Sequence, residues 1–311
     1  MARIISQSFI YDLKEGSLSK ILKYIKSDST LQMELRKNSV NIYYRGGSLM
    51  KIKEKGSNQY QAYFDKNYVT SNANECVMVQ CIDGINSIET TKKLIDIIPS
   101  IKQQMDFWMS VKKPDGGERE YQHIVAKENN SKNTGRQSDY YICDIEYKGD
   151  FDKDNNCKLD MIGVKWPVSN YERSNHENLP LCIFSMKYGS KSDKKIIDNI
   201  NDIHKFICNE DKLDRLKKEM EETYNIKSEL ELIYPFEKNQ IKFSNDIEVI
   251  LILANQKPEN NKLIEELKAI QNEDAFKELS QIAEIKIAKS SFMGYGLYES
   301  NMVSVEDIIN K

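Results

Sequence analysis

The chain has only three histidines, and none of its six cysteines sits in a Cys-x-x-Cys pair. Structural zinc sites are built from clustered ligands of those types, so a zinc protein is not expected. Cys143 and Cys182 fall inside apolar runs and read as small buried hydrophobes. Isolated cysteines in a long charged chain suit a reducing compartment, and a cytoplasmic protein is expected. No apolar stretch approaches the ~20 residues that cross a bilayer, so no membrane partner is expected. Residues 1–10 lack the long apolar core and small-residue cleavage site of a signal peptide. There is no Gly-x-x-x-x-Gly-Lys-Ser/Thr, which excludes a P-loop ATPase. Gly-x-Ser-x-Gly is missing too, and no Ser/His/Asp spacing favours a hydrolase triad. The net charge of −3 provides no global basic field, so any contact with a polyanion must come from a local patch.

What is present is enough for a core: 311 residues, 40% apolar and 30% charged, which suit one large or two modest domains under a strongly solvated surface. Apolar spacing after a Ser cap predicts a helix over 17–36. Residues 41–52 read as strand, Gly-Gly turn, strand, with a third strand at 60–63. Helical periodicity returns over 88–111, and Pro-Asp-Gly-Gly at 114–117 breaks it. A boundary there divides an N-terminal α+β region, 1–113, containing the hairpin, from an α/β core with a C-terminal extension, 114–311.

Beyond the break, 118–130 suits a helix, and β-type runs follow at 140–147, 158–166 and 180–188. A charged helical stretch occupies 191–223. The near-continuous apolar run 247–254 fits a central strand buried on both faces and flanked by helices on both. A helix over 261–282 and a short β-type segment at 283–288 complete this part. The order is helix, three strands, helix, strand. Only turns join the three strands, so they are expected to be antiparallel, and a helical crossover reaches the fourth.

Antiparallel pairing of 158–166 with 180–188 sets Asp160 beside Met186-Lys187. Ser185 and Lys187 are two apart and share a face. The 140–147 strand on the other side brings Glu146 toward the same edge. Carboxylates gathered at one point repel unless a cation lies between them, and Mg²⁺ suits oxygen ligands. The expectation is a cluster of the Asp160 and Glu146 carboxylates with the Lys187 amine. Elsewhere, Tyr43-Tyr44-Arg45-Gly46-Gly47 combines rings, a cation and glycines that could stack bases, or simply form a tight turn with packed tyrosines. The 292–298 segment is either a glycine-bent strand or a contact loop.

The order of elements, with Glu120, Asp160 and Lys187 at their places, resembles the PD-(D/E)xK nuclease superfamily over about residues 118–255. The resemblance implies a restriction-endonuclease-like αβββαβ core with a mixed sheet, preceded here by an N-terminal α+β extension. It implies a divalent-metal-dependent nuclease-like protein acting on DNA or RNA, in bacterial defence or repair. Asp160, Lys187 and Glu120 would be catalytic. Asp160, Glu120 and Glu146 would hold Mg²⁺ or Mn²⁺, and Tyr44, Arg45 and Tyr188 would contact nucleic acid. Glu118 and Glu128 compete with Glu120 for the helix position. The chain departs from the family pattern at Ser185, where an acid is expected two residues before the lysine. The alternative is a catalytically degenerate module of the same fold that binds nucleic acid or a protein partner.

Overall fold

Ser6 opens the first helix, its Oγ accepting the amide N–H of Phe9 and so satisfying one orphan donor of the first turn. Helices α1 (Gln7–Lys14) and α2 (Ser19–Ser27) follow. The 17–36 stretch is not one helix. Asp28 stops it by accepting the amide and hydroxyl of Thr30, a local turn that competes with helix continuation. Burial then switches to period two, with Leu31, Met33 and Leu35 buried on strand β1 (Leu31–Arg36).

In this computed structural model the described residues are 3–65, 68, 81–112, 117–132, 137–148, 158–168, 175–189, 195–234, 240–256, 261–290, 299 and 302–309. The 292–298 segment, Cys76 and Cys157 lie outside them. The chain divides into two units, Ala2–His123 and Ile124–Lys311, so the division falls at 123/124 rather than at 113/114.

In the first unit, β1, β2 (Ser39–Tyr44), β3 (Gly47–Gly56), β4 (Gln59–Phe64) and β5 (Cys81–Ile85) form an antiparallel meander in that order. Arg45 and Gly46 connect β2 to β3 with φ of 48° and 75°, the two positive values that a two-residue hairpin turn requires. Helix α3 (Ile88–Lys112) buries Leu94, Ile98, Ile101 and Met105 at helical spacing.

Helix α4 (Glu118–Asn130) begins in the first unit and ends in the second. The second unit continues with β6 (Tyr140–Lys148), β7 (Lys158–Lys165), β8 (Leu179–Tyr188), α5 (Ile196–Ile207), α6 (Glu210–Glu229) and β9 (Phe243–Ala254). Next come α7 (Asn261–Ile270), α8 (Asp274–Ile282), β10 (Glu284–Ser290) and α9 (Val305–Ile309). The sheet order is β10-β9-β8-β7-β6. Its first three strands are antiparallel, while β9 runs parallel to β8 and β10 parallel to β9. The molecule is thus mixed α/β with two sheets. Val303 extends the β10 edge through a reciprocal pair of backbone bonds with Ile287, at 2.8 and 3.1 Å.

Two further helical stretches are interrupted. Asn209 caps α6 by accepting the amide of Lys212, which ends the 191–223 helix at Cys208 and restarts it. The 261–282 helix breaks at 271–273, between α7 and α8. Strand β9 is buried throughout 247–254 and lies between β8 and β10. On one face Val249, Leu251 and Leu253 join Ile200 and Ile203 of α5, Met220 of α6, Leu267 of α7 and Leu279 of α8 in one core. Each such aliphatic side chain contributes about 1.5–3 kcal/mol by leaving water. The other face carries Glu248, Ile250 and Ile252, so it is buried without being wholly apolar.

Candidate functional site

The ladder between β7 and β8 pairs four residues, from Met161↔Phe184 to Val164↔Leu181, and stops there. One residue further, the Asp160 side chain takes over from the backbone. Its Oδ2 accepts the Met186 amide at 3.0 Å and lies 3.5 Å from the Ser185 hydroxyl, which donates to it. Asp160 and Ser185 are each 4% exposed and Lys187 8%, so all three are held inside the sheet end rather than displayed on it. Ser185 and Lys187 pair with Leu251 and Leu253, which puts them on the helix-covered face. There the Lys187 Nζ stands 3.3 Å from Glu266 Oε2 of α7. The same Glu266 oxygen accepts the Ile196 amide at the start of α5, at 3.3 Å. Gln256 closes the end of the site by donating to the carbonyls of Lys187 and Gly189, at 3.1 and 2.9 Å. Tyr188 ends β8 opposite Ala254, half-buried.

The other expected residues make other contacts. Glu146 falls between the Ile145–Met161 and Tyr147–Leu159 pairs, with a φ of 52°. Its carboxylate meets Lys158 at 3.0 Å. Glu120 belongs to the first unit, where Oε1 accepts from Arg45 Nε at 2.8 Å. Arg45 Nη1 donates to Asp106 at 2.9 Å, and Tyr44 Oη donates to the other oxygen of Asp106 at 2.8 Å. Burial, then the hydrogen bond to Asp106, push the Tyr44 phenol up to about 12. Hydrogen bonds to Glu120 and Asp106 raise Arg45 further.

Among the described residues no group of three or more His, Cys, Asp or Glu side chains is arranged to hold a metal ion. The carboxylates expected to join Asp160 are engaged with Lys158 and Arg45, and its partners on β8 are an amide and a hydroxyl. This donor set does not fit Mg²⁺ or Mn²⁺ as the resemblance would require. Glu266 is the residue that sequence reasoning missed. It follows the buried Leu263 and precedes Leu267 on α7, an acid bordering an apolar face.

A second buried polar cluster lies on the opposite face of the sheet. Glu248 Oε2 accepts from Tyr140 Oη at 2.9 Å, while Oε1 accepts from Lys165 at 2.9 Å and Lys286 at 3.1 Å. Glu299 closes the ring against both lysines. Burial opposes the charge of Lys165 and Lys286, but hydrogen bonds to Glu299 and Glu248, joined at Lys286 by Glu284, outweigh it and hold both above 10.5. The lysines in turn hold Glu299 below 4.5 against the effect of burial. Burial and Glu248 keep the neighbouring Cys182 thiol far from ionising. One acid inside the apolar run 247–254 was the signal for this cluster.

No family model, curated protein or solved structure matches the chain. No helix among the described residues is long and apolar enough to cross a membrane.

Proposed function

We propose that the chain is a nuclease-fold module that binds DNA or RNA at the β7–β8 edge and has lost efficient metal-dependent cleavage. The fold part of this reading, a restriction-endonuclease-like αβββαβ core, is supported by three antiparallel strands and a parallel fourth reached through α5 and α6. One observation carries the loss of cleavage: the partners of Asp160 are the Ser185 hydroxyl and the Met186 amide, where an active site needs a second carboxylate. A hydroxyl adds no charge to draw Mg²⁺ out of its water shell. Lys158, partly exposed at that end of the sheet, is the cation within reach of a phosphate backbone.

Anisotropy titrations with single- and double-stranded DNA and RNA, run beside a cleavage assay in Mg²⁺ and Mn²⁺, test the reading. The expected result is salt-sensitive binding without cleavage, weakened in Lys158→Ala. Ser185→Glu should create a metal-linked rise in melting temperature that the wild type lacks, because a ligand bound only by the folded state stabilises it. No binding to any of the four nucleic acids would refute the module. The contact between Glu266 and Lys187 favours a second reading, in which α7 supplies the missing acid. Metal-dependent cleavage by the wild type that disappears in Glu266→Gln would establish it instead.

A further inference from the structure

The first unit contains a cavity of about 360 Å³, within the ~300–1,000 Å³ range of small-molecule sites. Arg45, Asp65, Tyr68, Trp108, Met109 and Glu120 are among its walls. Tyr68 and Trp108 meet edge to face, with ring centres 5.2 Å apart and planes at 86°. Two glycines let these walls close. A Cβ on Gly47 would lie 2.3 Å from Tyr68 Oη, and one on Gly46 would lie 2.5 Å from the Glu120 amide. Arg45 is held rigidly, with Nε on Glu120 and Nη1 on Asp106. A guanidinium has five N–H donors. Two are engaged, so one on Nη1 and two on Nη2 have no partner among the described residues. They form part of a planar fork already fixed in orientation.

The charges around this fork decide what it can take. Arg45 and Arg119 face Asp65, Glu120 and Asp106, so the cavity has no surplus of positive potential to hold a phosphate. A fixed fork of that kind favours a neutral edge with two adjacent acceptors, and an aromatic wall favours a flat ring. Guanine offers both, its carbonyl oxygen and N7 matching a guanidinium. Its π-face can stack on Trp108 or Tyr68. Asp65 supplies acceptor lone pairs for the N–H groups of the same base. We propose that this cavity binds one guanine base, presented either by a free nucleotide or by an unpaired position of a strand.

Intrinsic fluorescence tests this directly, because the chain has two tryptophans and Trp166 is buried away from solvent. The full chain is titrated with GMP, AMP, ribose 5-phosphate, an oligothymidine and the same oligomer carrying one guanine. Trp108→Phe serves as the blank. Saturable quenching by GMP, by the guanine oligomer or by both is expected, absent in the blank. Quenching by GMP alone identifies a free nucleotide as the source, and quenching by the oligomer alone identifies a strand. Arg45→Lys keeps the charge but loses the fork, and should weaken binding by about tenfold or more. If that variant melts low, Asp65→Asn carries the same expectation of weaker GMP binding. Equal responses to GMP and AMP, a response to ribose 5-phosphate, or no saturable response to any probe would each overturn the proposal.

Discussion

Glu248 shows how much one buried charge can decide. It is 4% exposed and faces two lysines and a phenol. Removing one member of such a group leaves the others charged and desolvated, so Glu248→Gln should cost about 3–5 kcal/mol in urea unfolding. The exposed pair Glu89–Lys93 is the contrast, where Lys93→Ala should cost about 0–1 kcal/mol. The pH dependence follows from the directions of the shifts. Glu299 is depressed in the folded protein, so its stabilisation is full above 4.5 and is lost as pH falls through the folded value. Lys165 and Lys286 are raised, so theirs is full below 10.5 and is lost as pH climbs through their folded values. The melting-temperature deficit of Glu299→Gln should therefore be constant near neutrality and shrink in acid. At this scale the meeting of Asp160 with Ser185 and Met186 was legible because strand alternation and antiparallel pairing of β7 with β8 fix which residues meet. Glu266 was not, because its contact with Lys187 depends on how α7 packs over the sheet, which no local pattern encodes.

Strand β9 was legible as an element for the opposite reason: eight consecutive buried positions allow no amphipathic alternative. Its amides over 249–253 lie between two parallel neighbours and should be among the slowest to exchange in the chain. Fast exchange there, measured by mass spectrometry, would contradict the described core. The helices were harder to delimit. Apolar spacing alone carried 17–36, 191–223 and 261–282 as single helices. Short polar devices divide the first two, the Asp28–Thr30 turn and the Asn209 cap. Hydrophobic periodicity averages over several residues and passes across a break only one or two residues wide.

For the whole molecule, α4 is the element that a boundary must respect. The division between units at 123/124 would cut it, whereas one at 113/114 leaves it intact. Its last residue, Asn130, fixes β6 by exchanging hydrogen bonds of 2.8 Å with the Ile142 amide and carbonyl. A helix reduced to 124–130 is too short to persist without its first turns. A fragment covering 114–311 should consequently melt higher than one covering 124–311, as scanning calorimetry would show, and equal melting points would remove α4 from the stability of the second unit. The N-terminal meander and the order of the second sheet follow from patterns a reader can find in the residues. The cavity behind Trp108 does not, because it is assembled from the β2–β3 turn, α3 and the start of α4 together.

The backbone bonds between Ile287 and Val303 have a colloidal consequence. An outermost strand with free amides and carbonyls is a template on which a second molecule can add its own strand. Val303 occupies part of that template on β10, and the exposed, charged Lys289 lies on the same strand. The segment at 302–309 thus acts as a guard against edge-to-edge aggregation, and the concentration the protein tolerates before precipitating depends on keeping those few residues in place.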